Sequence, residues 1–124
     1  MVSKIVLSLG SNCDADYVAQ ALKWLKSLLS DFKASSLYET PPAKGVGRSY
    51  INAVITGSTQ SAYEPFNRQL KEYEELAGRD QSCREAGLVP IDIDIVIWND
   101  DIIRPWDYRQ NFFKIGYAPI KASD

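Results

Sequence analysis

Residues 91–98, Ile91-Asp92-Ile93-Asp94-Ile95-Val96-Ile97-Trp98, alternate isoleucine with other residues at a period of two. That period is the signature of a β-strand whose side chains point to opposite faces in turn. It predicts that Ile91, Ile93, Ile95 and Ile97 share a face packed under helices. Asp92 and Asp94 then share the other face with Val96 and Trp98.

The neighbouring stretches fit around this strand. Residues 79–90 are polar and read as irregular, and Pro65 suits the first turn of a helix whose stripe is Phe66, Leu70, Tyr73 and Ala77, with Gly78 just past its end. Residues 50–57, YINAVITG, alternate so that Ile51, Ala53 and Ile55 oppose Tyr50, Asn52 and Val54. Ala43 to Arg48, AKGVGR, read as a loop after a strand at 32–40 that Pro41-Pro42 stops. Val18, Leu22, Leu25 and Leu29 recur at helical spacing behind a cap at Asp14 or Asp16, and residues 4–9, KIVLSL, form a strand ending in the Gly10-Ser11-Asn12 turn. After Trp98, Asn99-Asp100-Asp101 turns the chain into a short run at 102–103 and a tail. The order β-α-β-β-α-β is the ferredoxin-like α+β pattern, an antiparallel sheet with both helices on one face and an open face for a ligand. No linker or repeat interrupts it, so 1–124 reads as a single domain.

Composition limits the chemistry. The 124 residues are 45% apolar and 24% charged, with 14 Lys plus Arg against 16 Asp plus Glu, which is ordinary globular material and a poor match for nucleic acid. Histidine is absent, which removes Ser-His-Asp and Cys-His catalysis and histidine metal sites. Cys13 and Cys83 have no metal-binding or redox spacing and read as reduced thiols. No apolar run is long enough for a signal peptide or a membrane span, so the expected setting is cytoplasmic.

The aspartate pair carries the main chemical signal. Carboxylates at i and i+2 on a strand lie about 7 Å apart at Cα, and a divalent cation relieves their repulsion. Oxygen-only ligation suits Mg²⁺; the alternative is a solvated strand face. Tyr50 and Asn52 point to the same face, where a ring and an amide suit a planar heterocycle, unless they are simply a wet pair. Lys44, Arg48, Lys71, Arg79, Arg84, Arg104 and Arg109 cluster near these elements and either surround a polyphosphate or form a scattered solvated surface.

Taken together, Ser8-Leu9-Gly10-Ser11-Asn12, Tyr38-Glu39-Thr40-Pro41-Pro42, Tyr50-Ile51-Asn52-Ala53, Glu74 with Gly78-Arg79, and Pro90-Ile91-Asp92-Ile93-Asp94-Ile95 resemble the 6-hydroxymethyl-7,8-dihydropterin pyrophosphokinases. These folate-pathway enzymes move a diphosphate from ATP to a pterin alcohol. The resemblance implies that Asp92 and Asp94 hold two Mg²⁺ ions at the phosphates of ATP, the co-substrate. Tyr50 and Asn52 would meet the pterin, Thr40, Pro41, Pro42 and Ala43 would read its edge, and Phe113 would be the opposing ring. Glu74, Arg79 and Ile95 would line the nucleotide; from the basic cluster, Lys71 is expected beside it and Arg84, in place of the family arginine at Gln81, beside the aspartates in catalysis. Val89, Gln81 and Asn111 stand where the family usually has arginines. This leaves two further readings open: a weakened relative serving as a pterin- or nucleotide-binding module, and a ferredoxin-like RNA-binding or regulatory domain. Oligomeric state is not legible.

Overall fold

The computed structural model describes residues 1–78 and 80–122. Its elements run β1 (Ser3–Ser11), α1 (Ala15–Leu28), β2 (Ser30–Ala34), β3 (Tyr38–Thr40), β4 (Tyr50–Thr59), α2 (Tyr63–Leu76), α3 (Gln81–Glu85), β5 (Asp92–Trp98), β6 (Asp101–Ile102), α4 (Pro105–Tyr108) and α5 (Asn111–Ala122). The strands form one antiparallel six-stranded sheet in the order β2-β4-β1-β5-β6, with β3 also paired to β4. The α+β, ferredoxin-like arrangement is therefore present, with additions at both edges.

Alternation along the three central strands builds the main core. Ile5, Leu7 and Leu9 of β1, Ala53 and Ile55 of β4, and Ile91, Ile93 and Ile95 at β5 meet Val18, Ala21 and Leu25 of α1 and Phe66 and Leu70 of α2. Asp14 caps α1, accepting a hydrogen bond from the Asp16 amide at 2.9 Å, which satisfies an otherwise orphan donor. Gly78 follows α2 with φ +108°, the left-handed conformation that ends a helix at little cost for glycine.

The structure corrects three expectations. First, the alternation of β5 changes phase. Leu7 pairs with Ile95 but Val6 pairs with Ile97, so Val96 is an extra residue on β5. This β-bulge turns Ile97 onto the same side as Val96 and sends Trp98 to the helical side, where its ring lies 5.3 Å from Tyr63 and 6.0 Å from Phe66. Trp98 therefore does not flank the aspartates. Second, the strand expected over 32–40 is two strands. The β2 register with β4 differs by one residue from that of β3, and Ser35 spans the break by donating its amide to Val54 O and accepting the Val54 amide at its hydroxyl. Third, residues 81–85, expected to be irregular, form a short helix capped by Asp80.

The largest departure is α5. Val6, Val54, Val96 and Ile97 make an apolar patch on the face opposite α1 and α2, and Phe113 and Ile120 of α5 cover it. The face expected to be open is thus half closed, and only its polar half remains accessible. Phe113, Gly116 and Ile120 recur at helical spacing on the buried side. Pro119 lacks an amide hydrogen and so forfeits one bond in the last turn. The Tyr38 hydroxyl holds the first turn by donating to Phe112 O at 2.5 Å. Burial pushes the phenol up to about 12, with the Gly116 amide pulling the other way.

Gly116 sets how closely α5 seats. A Cβ there would lie 2.7 Å from the Tyr38 hydroxyl and 2.8 Å from Val54 Cγ2. Replacing Gly116 with Ala is expected to cost about 1–3 kcal/mol by overpacking and to lower Tm by roughly 3–10 °C. A thermal melt checks this, and an unchanged Tm would mean that α5 does not pack as described.

Candidate active site at the junction of two cavities

The uncovered half of the sheet face forms the floor of a cavity of about 720 Å³. Ser8 and Gly10 of β1, Tyr50 and Asn52 of β4, and Asp92 and Asp94 of β5 line it from the sheet, as period-two alternation requires. Thr40, Pro41, Pro42, Ala43, Lys44 and Val46 make one wall. Arg104, Trp106, Asp107 and Phe112 make the other. A smaller cavity of about 420 Å³ is lined by Lys71, Glu74, Glu75, Arg84, Asp92, Asp94 and Arg104. The two share Asp92, Asp94 and Arg104, so the carboxylate pair stands where they meet.

Asn52 is held rigidly. It is 3% exposed, and its side-chain nitrogen donates to Thr40 Oγ1 at 2.8 Å, Tyr50 O at 3.2 Å and Tyr38 O at 3.3 Å. Three oxygens around one atom fix it as the NH₂ end. The amide donors are therefore spent on β3 and β4, and Oδ1 is the end turned toward Gly10. At position 10 the missing side chain leaves floor space beside Tyr50 and Asn52.

Asp94 lies in a charged network. Lys71 Nζ donates to Asp94 Oδ1 at 3.1 Å, to Glu74 Oε2 at 3.1 Å and to Ile93 O at 2.9 Å. Glu74 Oε2 also accepts the Ile93 amide at 2.8 Å. Burial first, and the charge of Asp92 second, push the Asp94 carboxyl above its ordinary pKa, against the pull of Lys71 and Arg104. Burial alone would lower the Lys71 pKa, but Asp94 and Glu74 outweigh it and the net shift is upward.

The oxygen donors suit one class of metal. Among the described residues no three Asp, Glu, Cys or His side chains are placed to hold one metal ion between them. Two aspartates alone fit a hard cation that keeps most of its ligands as water or substrate oxygen, as Mg²⁺ does. Their residual repulsion is what such a cation would relieve.

The expected site residues distribute as follows. Thr40, Pro41, Pro42, Ala43, Tyr50 and Asn52 come together around the larger cavity, and Lys71, Glu74 and Arg84 around the smaller one. Arg79 lies outside the described residues. Ile95 is 2% exposed in the helical core, so its side chain reaches neither cavity. Phe113 is wholly buried and stacks on Tyr117 with centroids 5.0 Å apart; its neighbour Phe112 lines the larger cavity instead. The sequence reading missed Phe112, Trp106 and Asp107 because it left the tail unassigned. Pro105 at the first position of α4 and the Phe113–Ile120 spacing were the available signals. Gly10-Ser11-Asn12 is not a free turn either. Asn12 receives the Val89 amide at 2.6 Å and donates to Gly87 O, so it pins the loop before β5.

Comparison with known proteins adds an independent line. Over 99 residues the chain is 30% identical to a folate synthesis bifunctional protein of Arabidopsis thaliana, covering 77% of this chain and 20% of that one. Over 107 residues it is 29% identical to a 2-amino-4-hydroxy-6-hydroxymethyldihydropteridine pyrophosphokinase of Aquifex aeolicus, covering 83% of this chain and 66% of that one. A folate synthesis bifunctional protein of Chlamydia trachomatis is 30% identical over 106 residues, 78% of this chain and 23% of that one. The chain thus spans less than two thirds of the length of each of these curated relatives. The sequence profile of one family matches residues 6–121, nearly the whole chain. The aspartate strand, the polar cavity beside it and this match agree, and the chain belongs to the 7,8-dihydro-6-hydroxymethylpterin-pyrophosphokinase family.

Proposed function

We propose that residues 1–124 form one pterin-pyrophosphokinase-like domain that transfers a diphosphate from ATP to 6-hydroxymethyl-7,8-dihydropterin. The observation that supports this most is the meeting of two cavities at one pair of carboxylates, one floored by a ring and a fixed amide, the other rimmed by cations. About 720 Å³ is within the usual range for a small-molecule site. The pterin lies in the larger cavity against Tyr50, with Asn52 Oδ1 accepting from its edge and the main chain near Thr40 to Ala43 reading the rest. Phe112 takes the place of Phe113 as the facing ring. ATP lies along the smaller cavity, its phosphates toward Lys71, Arg84 and Arg104, and Ile95 reaches it through its main chain only.

In the reaction the pterin alcohol oxygen bonds to the β-phosphorus of ATP. The bond from that phosphorus to the α-phosphate's bridging oxygen breaks, AMP leaves, and the alcohol proton is released. Asp92 and Asp94 would hold two Mg²⁺ ions, which polarise the phosphate oxygens and offset their charge. The protein's own share is positioning and charge neutralisation, without a nucleophile of its own, so the lack of histidine is no obstacle. No helix among the described residues is long and apolar enough to cross a membrane, and we place the reaction in the cytoplasm, on small molecules and away from nucleic acid.

Two outcomes are expected. Incubated with ATP, Mg²⁺ and the pterin alcohol, the protein forms AMP, and Asp94→Asn lowers the rate by roughly 10²-fold or more; no AMP above background from the unsubstituted protein contradicts the reading. Separately, Mg²⁺ without substrate raises Tm, by about 1.4 kcal/mol of stability at ten times its Kd, and does not do so in Asp92→Asn/Asp94→Asn. Because the Asp94 pKa is raised in the fold, its ionised form is the costly one. The cost that Mg²⁺ relieves is present above that pKa and fades as pH falls through it, so the Tm gain is largest near neutral pH and shrinks in acid. A gain that persists in the double variant, or grows in acid, places the cation elsewhere.

A further inference from the structure

Arg104 is the one cation that lines both cavities among the described residues. It precedes Pro105 at the start of α4, and the first turn of that helix brings Asp107 back onto it. Asp107 Oδ2 accepts from Arg104 Nε at 2.9 Å, with the Asp107 side chain 10% exposed and that of Arg104 46% exposed. The Arg104 amide faces Val96 O at 3.4 Å, and the Ile103 amide donates to the same oxygen at 2.8 Å, so the bulged part of β5 anchors this turn. The guanidinium therefore leaves α4 with its Nε end fixed, and the side chain lines both cavities. Nη1 is 3.9 Å from Asp94 Oδ1, beyond hydrogen-bonding range. Asp94 already has Lys71 at 3.1 Å, so the bond that fixes the arginine is the one to Asp107.

A guanidinium tied at Nε, with no hydrogen bond spent from either Nη group on the described residues, presents two parallel N–H donors, the arrangement that fits two oxygens of one phosphate. We propose that Arg104 binds a polyphosphate oxygen pair at the junction of the two cavities, and that Asp107 is a positioning residue that aims it. This rests on the reading of the smaller cavity as the ATP side. Arg109, in the same tail, lines neither cavity, so the role falls to Arg104 and is not shared along the tail. The substrate group addressed is the phosphate that bridges from nucleotide to acceptor, since only that part of a nucleotide lies beside both cavities.

The test is calorimetric binding of inorganic triphosphate with Mg²⁺, which needs no turnover. Arg104→Met is expected to weaken binding by roughly tenfold or more, the loss of a charge-assisted hydrogen-bonded pair. Arg104→Lys keeps the charge without the fork and should recover only part of it. Asp107→Asn should weaken binding in the wild-type background and have no further effect in Arg104→Met, because a positioning residue has nothing left to position. An Asp107→Asn loss of equal size in both backgrounds marks a merely structural role and overturns the positioning claim. Wild-type affinity in Arg104→Met, or no triphosphate binding by the unsubstituted protein, overturns the site. Arg104-dependent triphosphate binding without AMP formation from ATP and the pterin alcohol keeps the site and removes the proposed reaction, so the two failures read differently.

Discussion

The ammonium of Lys71 lies across the outer edge of β5, and most of the site follows from that placement. Ile93 turns its amide and carbonyl away from β1 at a point where β6 does not reach, because β6 pairs only with Ile97 and Trp98. Side chains of α2 stand in for the missing strand: Glu74 Oε2 takes the Ile93 amide, and Lys71 takes its carbonyl. Buried backbone groups require such partners. In meeting that need, the same lysine reaches Asp94 and partly offsets the cost of two neighbouring carboxylates in a half-buried cavity. Helix α2 is thereby locked in register with the aspartates, by polar contacts above and by Phe66 and Leu70 below.

The bulge at Val96 divides the strand into two functions. Up to Ile95 the alternation keeps aspartates on the open face and isoleucines in the helical core. Beyond it, Val96 and Ile97 both turn to the far face and provide the apolar patch that α5 covers. One extra residue thus separates a polar cavity floor from a hydrophobic seat for the tail. Seating α5 brings Phe112 to the rim while Phe113 is buried, and Tyr38 on β3 holds that first helical turn through Phe112 O. The cavity wall and the second core are two sides of one helix.

The parts of this arrangement that depend on local periodicity were readable in the chain. Asp92, Asp94, Tyr50 and Asn52 face one cavity because strand alternation allows little else. The phase change at Val96 was not readable, since it arises from how β5 pairs with β1 and not from its own residues. The same limit explains the split of residues 32–40, whose break is set by register against β4. On the tail, Phe113 is buried and Phe112 lines the cavity; without the helix assigned, neighbouring positions about 100° apart on a helix look equivalent. Which of the scattered basic residues reach the cavities is a tertiary matter: Lys44 lines the larger one, Lys71 and Arg84 the smaller one and Arg104 both, while Arg48 and Arg109 line neither.

If Asp92 and Asp94 mark the boundary between a pterin cavity and a nucleotide cavity, a crystal structure with Mg²⁺, a non-hydrolysable ATP analogue and the pterin alcohol will show it. The pterin is expected between Tyr50 and Phe112, the phosphates beside Lys71, Arg84 and Arg104, and metal density on both aspartates. A nucleotide bound away from Asp92 and Asp94, or a pterin outside the larger cavity, would contradict it.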